Sequence, residues 1–202
     1  MRVDHCLPSG QLLRIVYENE VDTQAHWLAE FATRLEERSG SFSEGCHIQI
    51  GWSVLTVVRR ELGLQLVEPD FAGDPFKDTR EDLTVSLRVM AEQTLLLKLL
   101  GISRSPVRFD ETISVAKGSL AETKLNLQRE IGTRGASGWV ITAPSCTTDM
   151  EAIPTYRLLK CRPICLRVLV LPAGSGVLID GNSISALSLH GSSGAGAEAL
   201  VP

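Results

Sequence analysis

Apolar and polar positions change their period several times along this chain of 202 residues, and the changes predict its elements. Residues 12–18 are rich in β-formers and read as a strand. Trp27, Leu28, Phe31 and Leu35 then recur at three- and four-residue spacing between a cap at Asp22 or Thr23 and the stop Ser39-Gly40, which predicts a helix. Residues 46–60 alternate around His47 and continue through β-branched side chains, as a strand bent at Gly51 would. Residues 64–68 make a partner strand across the turn Glu61-Leu62-Gly63, and Pro69 ends it.

Residues 70–78 read as a loop marked by Gly73 and Pro75. Thr79 and Asp82 are expected to cap a long helix whose stripe is Leu83, Leu87, Met90 and Leu97, with Gly101 closing it. Its last turns, residues 95–100, are apolar nearly all round, which predicts burial. The segment 102–108, with Pro106, is the candidate boundary. The expected architecture is therefore α+β, in two units over residues 1–105 and 106–181, each a mainly antiparallel sheet packed by one or two helices.

In the second unit residues 113–116, 124–131 and 138–142 read as strands, although Ser119 and Glu122 would also suit a helix over 120–130. Pro154 fits the first turn of a short helix that buries Tyr156 and Leu159. Residues 166–171 and 176–180 read as a β-pair. The Ser-, Gly- and Ala-rich residues 182–202 are expected to form a disordered tail.

Composition adds that this chain can build a packed core: 44% of residues are apolar and 22% charged, which excludes a disordered polymer. Residues 1–10 contain one Arg and no apolar segment, and the apolar run around residues 164–172 is too short to span a bilayer. The expectation is a cytoplasmic protein that is neither exported by a cleavable signal nor embedded. Five cysteines, an odd number, then read as free thiols.

Candidate chemistry is sparse. Cys161 and Cys165 stand alone as C-x-x-x-C, and the histidines at 5, 26, 47 and 190 are scattered, so no metal site is expected. Gly174-Ser175-Gly176 lacks the Lys-Ser/Thr of a phosphate loop, and no serine sits in a G-x-S-x-G elbow, so neither a cofactor nor a hydrolytic nucleophile is expected. The reading is a protein that binds another protein and catalyses nothing. Two alternatives stand beside it: an enzyme using dispersed carboxylates such as Glu68 and Glu130, and a scaffold module.

Charge shows where a partner would meet it. Residues 1–105 hold 11 Lys+Arg against 16 Asp+Glu, net −5, whereas residues 106–202 hold 9 against 8, net +1. Seven acids fall within residues 61–82 against Lys77 and Arg80. Such a stretch is either a solvated surface or a patch for a basic partner, and it repels nucleic-acid phosphates, so no direct nucleic-acid binding is expected. The expected contact residues are Glu68, Asp70, Asp74, Asp78, Glu81 and Asp82. Trp52 and Trp139 each follow a glycine at a strand start, as aromatic anchors or as core.

In the second half, Val115-Ala116-Lys117, Arg129-Glu130, Ser137-Gly138-Trp139-Val140, a short helix and Leu169-Val170-Leu171-Pro172 follow one another. This order resembles the bacterial immunity-protein family thirty-three of polymorphic-toxin systems, over about residues 113–180. The family pattern carries an acidic stretch soon after the tryptophan, where this chain has Ala143-Pro144-Ser145-Cys146-Thr147-Thr148 before Asp149. The resemblance implies a non-enzymatic antidote that binds a cognate toxin, often one delivered by a contact-dependent route such as type VI secretion. Combined with the charge, it implies a cytosolic nuclease whose basic cleft the acidic inhibitor occludes.

Overall fold

The fold was obtained as a computed structural model, which describes residues 1–40, 42–146 and 148–189. By chain contacts it divides into one unit of Met1–Glu92 and a second that begins at Gln93. The architecture is α+β, as expected.

The first unit contains β1 (Arg2–Cys6), β2 (Leu12–Val16), α1 (Asp22–Ser39), β3 (His47–Ile50), β4 (Ser53–Arg60), β5 (Gly63–Pro69), the short β6 (Thr79–Arg80) and the start of α2 (Thr84–Leu100). The sheet order is β1-β2-β5-β4-β3, with β6 beside β5. β2 and β5 run parallel and their neighbours antiparallel. Alternation places Leu13, Ile15, Ile48, Ile50, Leu55 and Val57 on the inner face, where they share one core with Ala25, Leu28, Ala29 and Ala32.

α1 corrects the expected stripe. Its buried line is built on three alanines and Leu28, because small side chains let a helix lie close to a sheet. Trp27 is at the edge, stacked on Phe31 with centroids 5.3 Å apart. Gly40 ends the helix in the left-handed region, donating to Glu36 O.

Two other local readings change. Residues 47–60 form a hairpin, Ile50 paired with Ser53 across Gly51-Trp52, where one bent strand was expected. The predicted Thr79–Asp82 capping pair splits: Thr79 enters β6, while Asp82 Oδ1 accepts the Thr84 N–H at 2.8 Å. β1, which the periodicity does not predict, is held to β2 by Arg14 donating to Asp4 at 2.8 Å across the pair.

The second unit carries β7 (Thr112–Ala116), β8 (Lys124–Arg129), β9 (Ala136–Thr142), β10 (Met150–Pro154), α3 (Leu158–Cys161), α4 (Pro163–Val168), β11 (Ser175–Asp180) and β12 (Ser183–Leu189). Their order is β10-β7-β9-β8-β11-β12, with β7 and β9 parallel. Residues 124–129 are a strand, so the helical alternative there is set aside.

Residues 166–171, expected as a strand, instead complete and follow α4. Pro163 starts that helix, and Ile164, Cys165, Leu166 and Val168 are all buried, so the run carries no period that would separate helix from strand. The end of α2 is only partly buried: Leu96 is inside, whereas Leu95 and Leu99 are exposed. Residues 183–189, expected in the tail, pair with β11 because Ile184 and Leu187 reach the core between serines and alanine. Residues 190–202 of that expected tail, His190 among them, lie outside the described residues.

All five cysteines are free thiols. Burial pushes the Cys165 thiol up to about 12, which leaves it protonated and inert.

Candidate functional site

The acidic stretch forms a loop between β5 and β6. Glu68 pairs with Arg80 and Pro69 with Thr79 across this two-residue ladder, and the Asp70 N–H donates to Asp78 O at 2.9 Å. These contacts make a neck. Beyond it, the Asp70 carboxylate accepts the Ala72 N–H (3.2 Å) and the Asp74 carboxylate accepts the Phe76 N–H (3.1 Å). Two of the expected contact acids therefore also fold the loop, as Asp side chains do in turns.

Underneath, the Trp52 ring stacks on Phe71 with centroids 4.8 Å apart and planes at 22°. Trp52 is 1% exposed. It lies inside the unit and supports the loop from below, so no face of its ring is presented to solvent.

The acids differ in their neighbours. Asp74 meets Lys77 at 3.0 Å, and Glu81 meets Arg60 at 3.0 Å. Lys77, with the Phe76 N–H, holds the Asp74 carboxyl below the usual range; Arg60 does the same for Glu81. Both are charged at neutral pH. Asp70 lies 4.0 Å from Arg80. Asp78 is exposed at the end of the loop, and Asp82 is half-buried at the start of α2.

Glu68 departs most from expectation, at 2% exposed. Its carboxylate accepts the Ser86 N–H at 2.8 Å, and the Ser86 hydroxyl donates to Ser53 Oγ at 2.8 Å. Burial pushes its pKa to about 7, against the Ser86 hydrogen bonds that favour ionisation.

Phe76 was not singled out from the sequence. It is 60% exposed, between Asp74 and Asp78 on the same loop. The available signal was an aromatic residue within an acidic Pro/Gly loop, a place where core packing does not require one.

Trp139 belongs to the second unit and is 1% exposed. It stands opposite Arg129 on β8, whose guanidinium carbon is 5.9 Å from the ring centroid. Arg129 Nη1 donates to Ser105 O (2.6 Å), Leu169 O (3.2 Å) and Leu171 O, and Trp139 Nε1 donates to Leu169 O (3.1 Å). Ser137 Oγ donates to Thr112 O at 2.9 Å, and Gly138, at φ +79, receives the Glu130 N–H on its carbonyl at 2.9 Å. The Arg129-Glu130 and Ser137-Gly138-Trp139 motifs thus meet as an internal brace that fixes the chain after α4. Within it the Trp139 ring is buried and presents no face to solvent.

The histidines serve local contacts: His5 with Thr33 (2.7 Å), His26 with Asp22 O (2.9 Å) and His47 with Thr56 (3.1 Å). Among the described residues no three His, Cys, Asp or Glu side chains gather as a metal-holding group. Glu68 is buried in the first unit and Glu130 is exposed in the second. Among the same residues no helix is long and apolar enough to cross a membrane.

Residues 92–188 match the family model described as the Imm33-like domain. The match agrees with the resemblance read from the motifs and extends it to the second unit from its start through most of β12. The acidic loop lies ahead of the matched residues. No curated protein and no solved structure matches the chain.

Proposed function

From the Imm33-like domain at residues 92–188 we propose that this chain is an immunity protein that binds and neutralises a cognate toxin, with the acidic loop of its first unit as the contact surface. The domain match carries the first part of that reading. The charge of the loop carries the second. Asp70, Asp74 and Asp78 share a loop with the exposed ring of Phe76, and Glu81 and Asp82 follow it in the chain, a combination suited to a basic protein with an apolar recess.

A toxin that cuts nucleic acid has a basic cleft, and an acidic inhibitor seated there excludes the substrate while its field speeds capture. About 1,600 Å² of interface suffices for stable binding, and DNase toxins with their immunity proteins are among the tightest complexes known. The site of action is then the cytoplasm of a bacterium that receives or makes the toxin, including toxins delivered by type VI secretion. Glu68, Trp52 and Trp139 act as supports, the first two under the loop.

Co-expression with the polypeptide encoded beside this gene, followed by growth measurement and pull-down, tests the reading. Rescue of growth with a retained basic partner supports it; a harmless neighbour that is not retained contradicts it. Phe76→Ala is expected to weaken that complex by about 2 kcal/mol, roughly 30-fold, when measured on folded protein. A loss below twofold in a titration would remove Phe76 as the anchor.

A further inference from the structure

We infer that the Glu68 carboxyl is a proton-controlled latch on the neck of the acidic loop: neutral, it keeps β6 closed on β5; ionised, it lets the neck open. Its meaning for regulation rests on the loop being the partner surface, but the latch itself is a property of the free chain.

The geometry buries a carboxyl whose nearest cation, Arg80, is shared with another carboxylate. Arg80, opposite Glu68 across the β5–β6 pair, sits beside Asp70 at 4.0 Å. From α2 the group facing Glu68 is Ser86, with its N–H at 2.8 Å; from β4, through that serine, comes the Ser53 hydroxyl. From the turn before α2 comes Asp82, whose like charge opposes ionisation of Glu68; from β6 comes Arg80, which favours it. One backbone donor and a pair of hydroxyls compensate a buried carboxylate only in part.

Ionisation is relieved by letting water in. The neighbouring element that yields most readily is β6, two exposed residues joined to β5 at Glu68 itself by two register pairs. Burial raises the carboxyl from its ordinary 4.5 to about 7. Between those values the native state keeps a proton that the unfolded chain has released, so stability falls as pH rises through this window and levels off above about 7.

Hydrogen exchange of the free protein, corrected for the intrinsic pH dependence of exchange, reads the latch directly. Protection of amides in residues 70–82 is expected to fall about tenfold or more between pH 5.5 and pH 8.5, relative to amides in β4, and to stay level in Glu68→Gln, which keeps an acceptor for Ser86. Level protection in the unmodified chain, or the same fall in the variant, would overturn the proposal. Should the variant not fold, carbon-13 NMR of the unmodified chain decides: a Glu68 carboxyl titrating near 7 together with the loop amides supports the latch, and a midpoint near 4.5 refutes it. Neither readout involves a toxin, so failure here leaves the immunity reading intact.

Discussion

Arg129→Ala is expected to destabilise the second unit by about 3–5 kcal/mol, the largest effect of any single side chain outside the apolar core. The guanidinium joins three carbonyls, of Ser105, Leu169 and Leu171, that the rest of the fold brings together without another shared donor. Removing it takes a donor from each of those oxygens, leaves Leu169 O with the Trp139 Nε1 bond, and uncovers one face of Trp139. Burial already works against its charge, lowering the pKa, so the site is tuned for a cation that never gives up its proton. Lysine keeps the charge but not the planar fork, and Arg129→Lys should recover only part of the loss. Chemical denaturation followed by tryptophan fluorescence measures both; a loss below about 1 kcal/mol for alanine would show that the carbonyls find other donors.

Gly138→Ala should cost about 3 kcal/mol, and a second glycine supplies its control. A Cβ at Gly138 would lie 2.2 Å from Glu130 O, a backbone atom, at φ +79. Gly135 has φ +83, and a Cβ there would meet nothing within 4 Å. Gly135→Ala therefore meets only the left-handed penalty, about 1 kcal/mol, and the difference between the variants isolates the close approach of β9 to the end of β8. Equal losses would mean that the Glu130 carbonyl moves aside at little cost.

Both predictions concern motifs by which the sequence resembles immunity-protein family thirty-three, and they explain why residues of these types stand at those positions. Arg129, Gly138 and Trp139 are separated along the chain but meet across one antiparallel pair, with Leu169 closing the contact. Spacing alone does not reveal that meeting. The strands with clean alternation, such as Ile48 and Ile50 or Leu125 and Leu127, were readable because one face is buried. β1 was not, since Arg2, Asp4 and Cys6 are exposed and only Val3 and His5 turn partly inward. β12 was hidden by its serines, and α4 by a run buried nearly all round.

For the candidate site, composition located the acidic loop but not the division of labour within it. Asp70 and Asp74 accept loop amides, which depends on turn geometry. Glu68 disappears inside because nearly every residue of β5 is buried, so its neighbours offer no alternation from which an inward carboxyl can be told. The two tryptophans were ambiguous for a similar reason: a glycine before a large ring is compatible with presentation and with packing, and the stacking partner Phe71 lies nineteen positions from Trp52.

The roles of Asp70 and Asp74 also decide how the loop must be altered to test it. Charge reversal there would remove amide acceptors together with charge, whereas asparagine keeps an acceptor oxygen at each place. The decisive measurement is the association rate of the partner with the unmodified chain and with the Asp70→Asn, Asp74→Asn, Asp78→Asn triple variant, across a range of ionic strength. Steering by this loop predicts a rate that drops steeply with salt for the unmodified chain, and a slower, flatter dependence for the variant, at least tenfold slower in low salt. Superimposable curves would contradict the acidic loop as the surface that meets the toxin.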